Sequence, residues 1–287
     1  MLKNKITFRI LSFKLFVLLI GLLVTGCATA PITGRSQLMM LSKAEEERLG
    51  EAAFLQFSKP LWDKGHIVRR DDPRPEMRGH LLTVNRVFGR ILEATGWKDE
   101  YKWRFIIVED SKTVNAGMFP GGKMVLYTGL LNFVKSEDEL AAVIGHEIAH
   151  AIARHGAERY SQILAANLAI AAVDVAVASS KKYSKYEGAI MIAVGLGAQL
   201  GVLLPYSRLH EHEADYIGLL IMSKAGYDPN GAIHFWERME RESKGFQIEY
   251  FSTHPSYGTR LTNLKKWLPQ ASQYREKPWM PLPEKKQ

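Results

Sequence analysis

The chain has 287 residues, 46% of them hydrophobic, enough for one large domain or two small ones with a sizeable core. Its formal net charge is +8, but Lys3, Lys5, Arg9 and Lys14 supply four of those charges before the first acid, Glu45, and leave +4 for the remainder. That mild excess gives little ground for a nucleic-acid partner and suits a surface lying near anionic lipid. Cys27 is the only cysteine, which excludes an intrachain disulfide.

The N-terminus reads as a targeting segment. Basic residues lead into "LFVLLIGLLV" (15–24), an apolar run of ten, too short to cross a bilayer, which takes about 20 residues in a helix. The following Val24-Thr25-Gly26-Cys27 resembles a bacterial lipobox. On that resemblance residues 1–26 are a lipoprotein signal peptide and Cys27 is the lipidated first residue of the mature chain. Ala28, not aspartate, follows it, which by resemblance to enterobacterial-type sorting implies the outer membrane, facing the periplasm. The several acyl chains of such an anchor hold a protein stably, where one holds it only marginally. Residues 27–42 then comprise the lipidated cysteine and a Pro-, Gly- and Ser-containing tether.

Residues 43–74 read as a helix and a loop. Ser42 can cap that helix, and Glu45, Glu46 and Glu47 fall where the helix dipole favours acids; the helix is expected to reach about Ser58, before Pro60. Leu81, Leu82, Val84, Val87, Phe88, Ile91 and Leu92 repeat with helical period up to Gly96. "KWRFIIVED" (102–110) predicts a strand, and "NAGMFPGGKMVLYTGLL" (115–131) predicts an extended segment, a Pro-Gly-Gly turn and a second strand. Ser136 and Glu139 have the spacing of a capping box, opening a helix that runs to about His155. Residues 161–204 are mostly apolar. Asp174 interrupts the first run and the second is short, so buried helices over the active site are expected in preference to membrane spans. A helix over 207–225 closes at Gly226, and residues 266–287 form a Pro- and Lys-containing tail.

The stretch "GHEIAH" (145–150) carries the chemistry. At 100° per residue, His146 and His150 share a helix face, so both imidazoles can reach one zinc ion. Glu147, beside His146, is placed to take a proton from a water activated by the metal. The motif is short enough to arise by chance, but it lies within Ala141, Ala142, Val143, Ile144, Ile148, Ala149 and Ile152. A buried helix carrying two histidines and a glutamate needs partners for them, and a metal is one. Helix 207–225 offers a third ligand among His210, Glu211, His212, Glu213 and Asp215. Glu211 and Asp215 share a face; Glu213 lies roughly 200° from Glu211, so only one of the two glutamates can face the metal, and periodicity does not choose. Asp215 suits an acid that orients a ligating imidazole.

His146-Glu147-x-x-His150, then "SRLHEHEAD", then "THPSYGTR", together resemble the M48 family of zinc metallopeptidases over roughly residues 75–265. These are gluzincins that include membrane-bound CAAX proteases, the mitochondrial Oma1 type and periplasmic lipoproteins, and the lipobox points to the periplasmic branch, close to LoiP-type lipoproteins. The resemblance implies an α+β, mainly helical fold with a small sheet packed on the zinc helix. It implies one zinc ion per chain, with Glu211 as third ligand and Asp215 in support. It also implies a His254 that either stabilises the transition-state oxyanion or sits on the zinc and holds the enzyme latent. Arg260 belongs to the same motif and is expected to anchor a nearby acid. The strand Lys123, Met124, Val125, Leu126, Tyr127 and Thr128 is expected to be an exposed edge to which an extended peptide adds.

The expected activity is therefore a zinc metalloendopeptidase acting on unfolded or misassembled envelope proteins. A zinc-stabilised chaperone or assembly factor with weak proteolysis is the alternative, favoured if His254 closes the zinc site. A small-molecule hydrolase would instead have strand 123–128 covered on both sides.

Overall fold

The computed structural model describes residues 27–178, 206–243, 250–254 and 258–283. The signal-peptide segment, residues 179–205 of the second apolar stretch, and residues 255–257 of the His254 loop lie outside them.

Local signals set the first helices. The Ser42 side chain accepts from the Glu45 amide while the Glu45 carboxylate accepts from the Ser42 amide, completing the capping box of α1 (Lys43–Asp63). The helix continues through Pro60 to Asp63, past the expected stop. Pro75 starts α2 (Pro75–Thr95), and Gly96, at φ 73°, ends it. The segment expected to be a tether is folded. β1 (Cys27–Thr29) and β2 (Ser36–Leu38) pair antiparallel, Cys27 opposite Leu38. Composition misled here because the Pro, Gly and Thr of this stretch build the hairpin turn, and Arg35 beyond it reaches buried acids of the domain.

A three-stranded sheet follows: β3 (Arg104–Val108), β4 (Ala116–Phe119) and β5 (Lys123–Tyr127), in the order β3-β5-β4. The Pro-Gly-Gly turn forms as predicted, with Gly121 and Gly122 at φ 73° and 79°, values that disfavour a Cβ. The expected edge strand is the central one, covered on both sides as expected of a small-molecule hydrolase, so a peptide-accepting edge has to be sought on another strand. β5 pairs parallel with β3 and antiparallel with β4, and Lys123, Met124, Val125 and Leu126 are buried. An uninterrupted apolar run covered on both faces belongs in the middle of a sheet. Thr128 is outside the strand and opens α3 (Thr128–Phe133), its hydroxyl accepting from the Asp110 amide at 2.9 Å. Among the described residues, β3 and β4 are the two edges; an isolated bridge from Ile67 to Val108 meets β3 on its outer side, and β4 has no second strand partner.

The zinc-motif helix α4 (Glu137–Ile152) is buried from Glu139 to its end. Ser136 caps it, but Glu139 turns to the Lys135 amide and Arg238 instead of closing a capping box. It stops at Ile152, before the expected end, because Arg154 is left-handed at φ 58°; α5 (His155–Ala178) begins next. α4 packs against α6 (Arg208–Lys224), α7 (Asn230–Ser243), α2 and β4. At the α4–α6 crossing a Cβ on Gly218 would lie 2.9 Å from the His146 amide nitrogen, so two glycines, Gly145 and Gly218, let the backbones touch. The turn α8 (Tyr250–Thr253) and helix α9 (Arg260–Glu276) close the site side. α9 runs into the expected tail, so the boundary at 265 divides a helix. The fold is α+β and mainly helical, as expected. No helix of the described residues is long and apolar enough to cross a membrane.

Candidate metal centre

The close α4–α6 crossing faces Glu211 toward the two motif histidines, and α8 delivers His254 from the other side. His146 Nε2 lies 3.0 Å from His150 Nε2, 3.3 Å from His254 Nδ1 and 3.5 Å from Glu211 Oε2. Glu211 Oε1 lies 3.4 Å from His150 Nε2 and 3.1 Å from His254 Nδ1. Four donors about 2.0–2.1 Å from one zinc ion in a tetrahedron stand about 3.3–3.4 Å apart. These four buried groups have that spacing and that chemistry, so they fit zinc. Spacing left Glu211 and Glu213 open; the structure puts Glu211 in the cluster and turns Glu213 toward His155.

Buried charge leads to the same ion. Asp215 Oδ1 lies 2.9 Å from His146 Nδ1, fixing which nitrogen of that ring faces the cluster. Arg260 donates to Asp215 Oδ2 at 2.6 Å and to Glu211 Oε2 at 2.7 Å, with its guanidinium 3.7 Å from the Trp236 ring centroid. When ionised, Glu147, Glu211 and Asp215 outnumber the one arginine, a buried negative excess that a proton on His146 reduces and a divalent cation in its place would balance. Glu147 is fully buried; its Oε1 accepts from the Tyr250 hydroxyl at 3.2 Å and lies 3.4 Å from His254 Nε2, while its Oε2 has no hydrogen-bond partner among the described residues. A buried orphan carboxylate oxygen beside a metal site is where a water belongs.

A profile of peptidase family M48 matches residues 82–268. The chain belongs to peptidase family M48. Mitochondrial metalloendopeptidase OMA1 of Schizosaccharomyces pombe is 36% identical over 248 residues, covering 86% of this chain and 68% of the relative. The human Metalloendopeptidase OMA1, mitochondrial, is 31% identical over 265 residues, 88% of this chain and 48% of its own length. The Beta-barrel assembly-enhancing protease of Yersinia pestis is 29% identical over 166 residues, 57% of this chain and 34% of that one. This M48 protein is thus a metalloendopeptidase.

The M48 motif residues named from sequence, His146, Glu147, His150, Glu211, Asp215, His254 and Arg260, all converge. Strand 123–128 does not join them as an edge, and Cys27 lies at the start of the N-terminal hairpin. Sequence reasoning missed Tyr250, whose ring stacks on His254 with centroids 4.5 Å apart, and Tyr206, stacked on His150 at 4.1 Å. Tyr250 stands four residues before His254, one helical turn, a spacing that could have paired them.

Burial opposes charge on His146, but Asp215 and Glu211 outweigh it and raise its pKa to about 10. Burial instead drives His150 well below its ordinary value. The metal-free site therefore holds a proton on His146 at neutral pH, and zinc must displace it. Zinc affinity is expected to rise about tenfold per unit between about pH 7 and 9, levelling as pH passes the raised pKa. Competition titrations with a chelating dye at several pH values check this; a flat profile contradicts it.

Proposed function

We propose that this M48 metalloendopeptidase is a lipoprotein of the outer membrane. Its signal peptide is residues 1–26 and its anchor the lipid on Cys27, and it faces the periplasm and cleaves unfolded or misassembled envelope proteins. The lipobox supports the location, and the likeness to a beta-barrel assembly-enhancing protease supports the substrate class. The observation that carries the chemistry is the convergence of His146, His150 and Glu211 beside an unsatisfied Glu147 oxygen.

When bound, zinc supplies Lewis-acid activation of water and of the scissile carbonyl. Glu147 takes the proton of the attacking water and delivers it to the leaving amine. Asp215 holds His146 in the tautomer that presents Nε2, and Arg260 holds Asp215 and Glu211 in place. The β4 edge, packed beside α4, is where an extended peptide adds by main-chain hydrogen bonds, which tolerate many sequences. Polypeptides are the partners, with no nucleic acid among them.

His254 Nδ1 sits among the donors, so the four protein groups would fill a tetrahedral zinc site and leave no position open in this arrangement. This favours latency, in which His254 would have to swing away from a bound zinc before substrate could enter. It equally suits the chaperone reading, which one variant separates. In His254→Ala, cleavage of a denatured protein is expected to rise, about tenfold if the wild type is closed nine-tenths of the time. Zinc-loaded wild type and variant that both bind denatured protein without cleaving it would establish the chaperone reading instead.

A further inference from the structure

His150 uses Nε2 in the cluster, and its other ring nitrogen starts a chain of buried groups that leads to the N-terminal hairpin. Nδ1 lies 2.9 Å from Nδ1 of His155, which is fully buried at the start of α5. His155 Nε2 lies 2.9 Å from Glu213 Oε2. That same oxygen accepts from Arg35 Nε at 2.6 Å, and Thr33 donates its hydroxyl to the other Glu213 oxygen. Arg35 reaches on with its two terminal nitrogens to both oxygens of Glu158, at 3.0 and 2.6 Å, and Glu158 receives His210 Nε2 at 3.0 Å. The His155 and His210 rings stack with centroids 4.4 Å apart.

Hydrogen-bond direction orders the chain. An ionised carboxylate only accepts, so the facing Nε2 of a neutral His155 carries the proton. Its Nδ1 is then a lone pair, and the Nδ1 of His150 opposite must donate to it. That leaves the His150 Nε2 lone pair for the cluster, the arrangement a metal ligand requires. Arg35 is what keeps Glu213 in place: its guanidinium lies between acids from two different helices, Glu158 of α5 and Glu213 of α6, and its planar fork serves both. Arg35 already supplies a cation here, so this second cluster needs no metal.

We propose that Arg35, acting through Glu213 and His155, is a positioning residue for the metal ligand His150, so that docking of hairpin 27–38 is part of building the zinc site. The inference rests on the reading of the His146 cluster as that site. It makes metal affinity depend on a segment outside the region matched by the family profile, which begins at residue 82.

The test uses the full chain in detergent, with zinc competition and the absorption spectrum of the cobalt(II) form. Arg35→Gln and His155→Leu are expected to weaken zinc binding about 10–100-fold and to change the cobalt ligand-field bands. Arg35→Lys keeps the charge without the fork and is expected to restore only part of the affinity; it also serves if Arg35→Gln does not fold. Wild-type zinc affinity and cobalt spectrum in every folded variant would overturn the proposal while leaving the zinc site itself standing. Failure of the wild type to bind zinc, with His146→Ala no different from it, would overturn the zinc reading and the inference with it.

Discussion

Replacing Glu147 by glutamine is expected to slow peptide-bond cleavage by about 10²–10⁴-fold, the usual contribution of a positioned general base. The substitution is nearly isosteric. The amide oxygen can still accept from the Tyr250 hydroxyl that now meets Oε1 at 3.2 Å, and Glu147 is not among the four clustered donors. Zinc content and thermal stability should therefore stay near wild type while cleavage of a denatured protein collapses. Metal analysis beside a cleavage assay distinguishes lost chemistry from lost metal. Equal cleavage by the variant would show that Glu147 is not the base.

Arg260→Met is expected to be the most destabilising single change in the site. Arg260 is fully buried and bonds both Asp215 and Glu211. Methionine keeps much of the packing against Trp236 but leaves two buried carboxylates without their guanidinium. Breaking a buried ion pair from one side costs about 3–5 kcal/mol. For a domain of this size each kcal/mol lowers the melting temperature by about 2–4 °C, so a fall of about 6–20 °C is expected in the zinc-free protein. Zinc should recover part of that loss, since the metal supplies positive charge to Glu211 from the opposite side. A melting temperature within about 2 °C of wild type, measured without zinc, would contradict this account.

Signals confined to a few neighbouring residues were legible in the sequence. Ser42 as a cap, the Pro-Gly-Gly turn and Gly226 each act within one turn of chain, and each is found where expected, whereas only the serine half of the box read at Ser136 and Glu139 forms. His146, Glu147 and His150 were equally local. Choosing Glu211 over Glu213 needed the M48 resemblance, because the choice depends on how α6 crosses α4, and that crossing depends on Gly145 meeting Gly218. The order of strands was not legible. "KMVLYT" has the same composition at an edge or at the centre, and only its pairing with Arg104–Val108, separated from it in sequence, decides. The hairpin escaped for a similar reason: Arg35 looks like a solvated charge until Glu158 and Glu213, more than a hundred residues away, are brought to it.

β1 begins at Cys27 itself, so no run of free chain separates the expected lipid from folded structure. With a lipid on that residue, the peptidase would ride directly on the bilayer instead of sweeping the space above it on a leash. Its search would then be two-dimensional. It would meet segments that protrude from the membrane surface or slide along it, and proteins diffusing deeper in the surrounding fluid would pass out of reach.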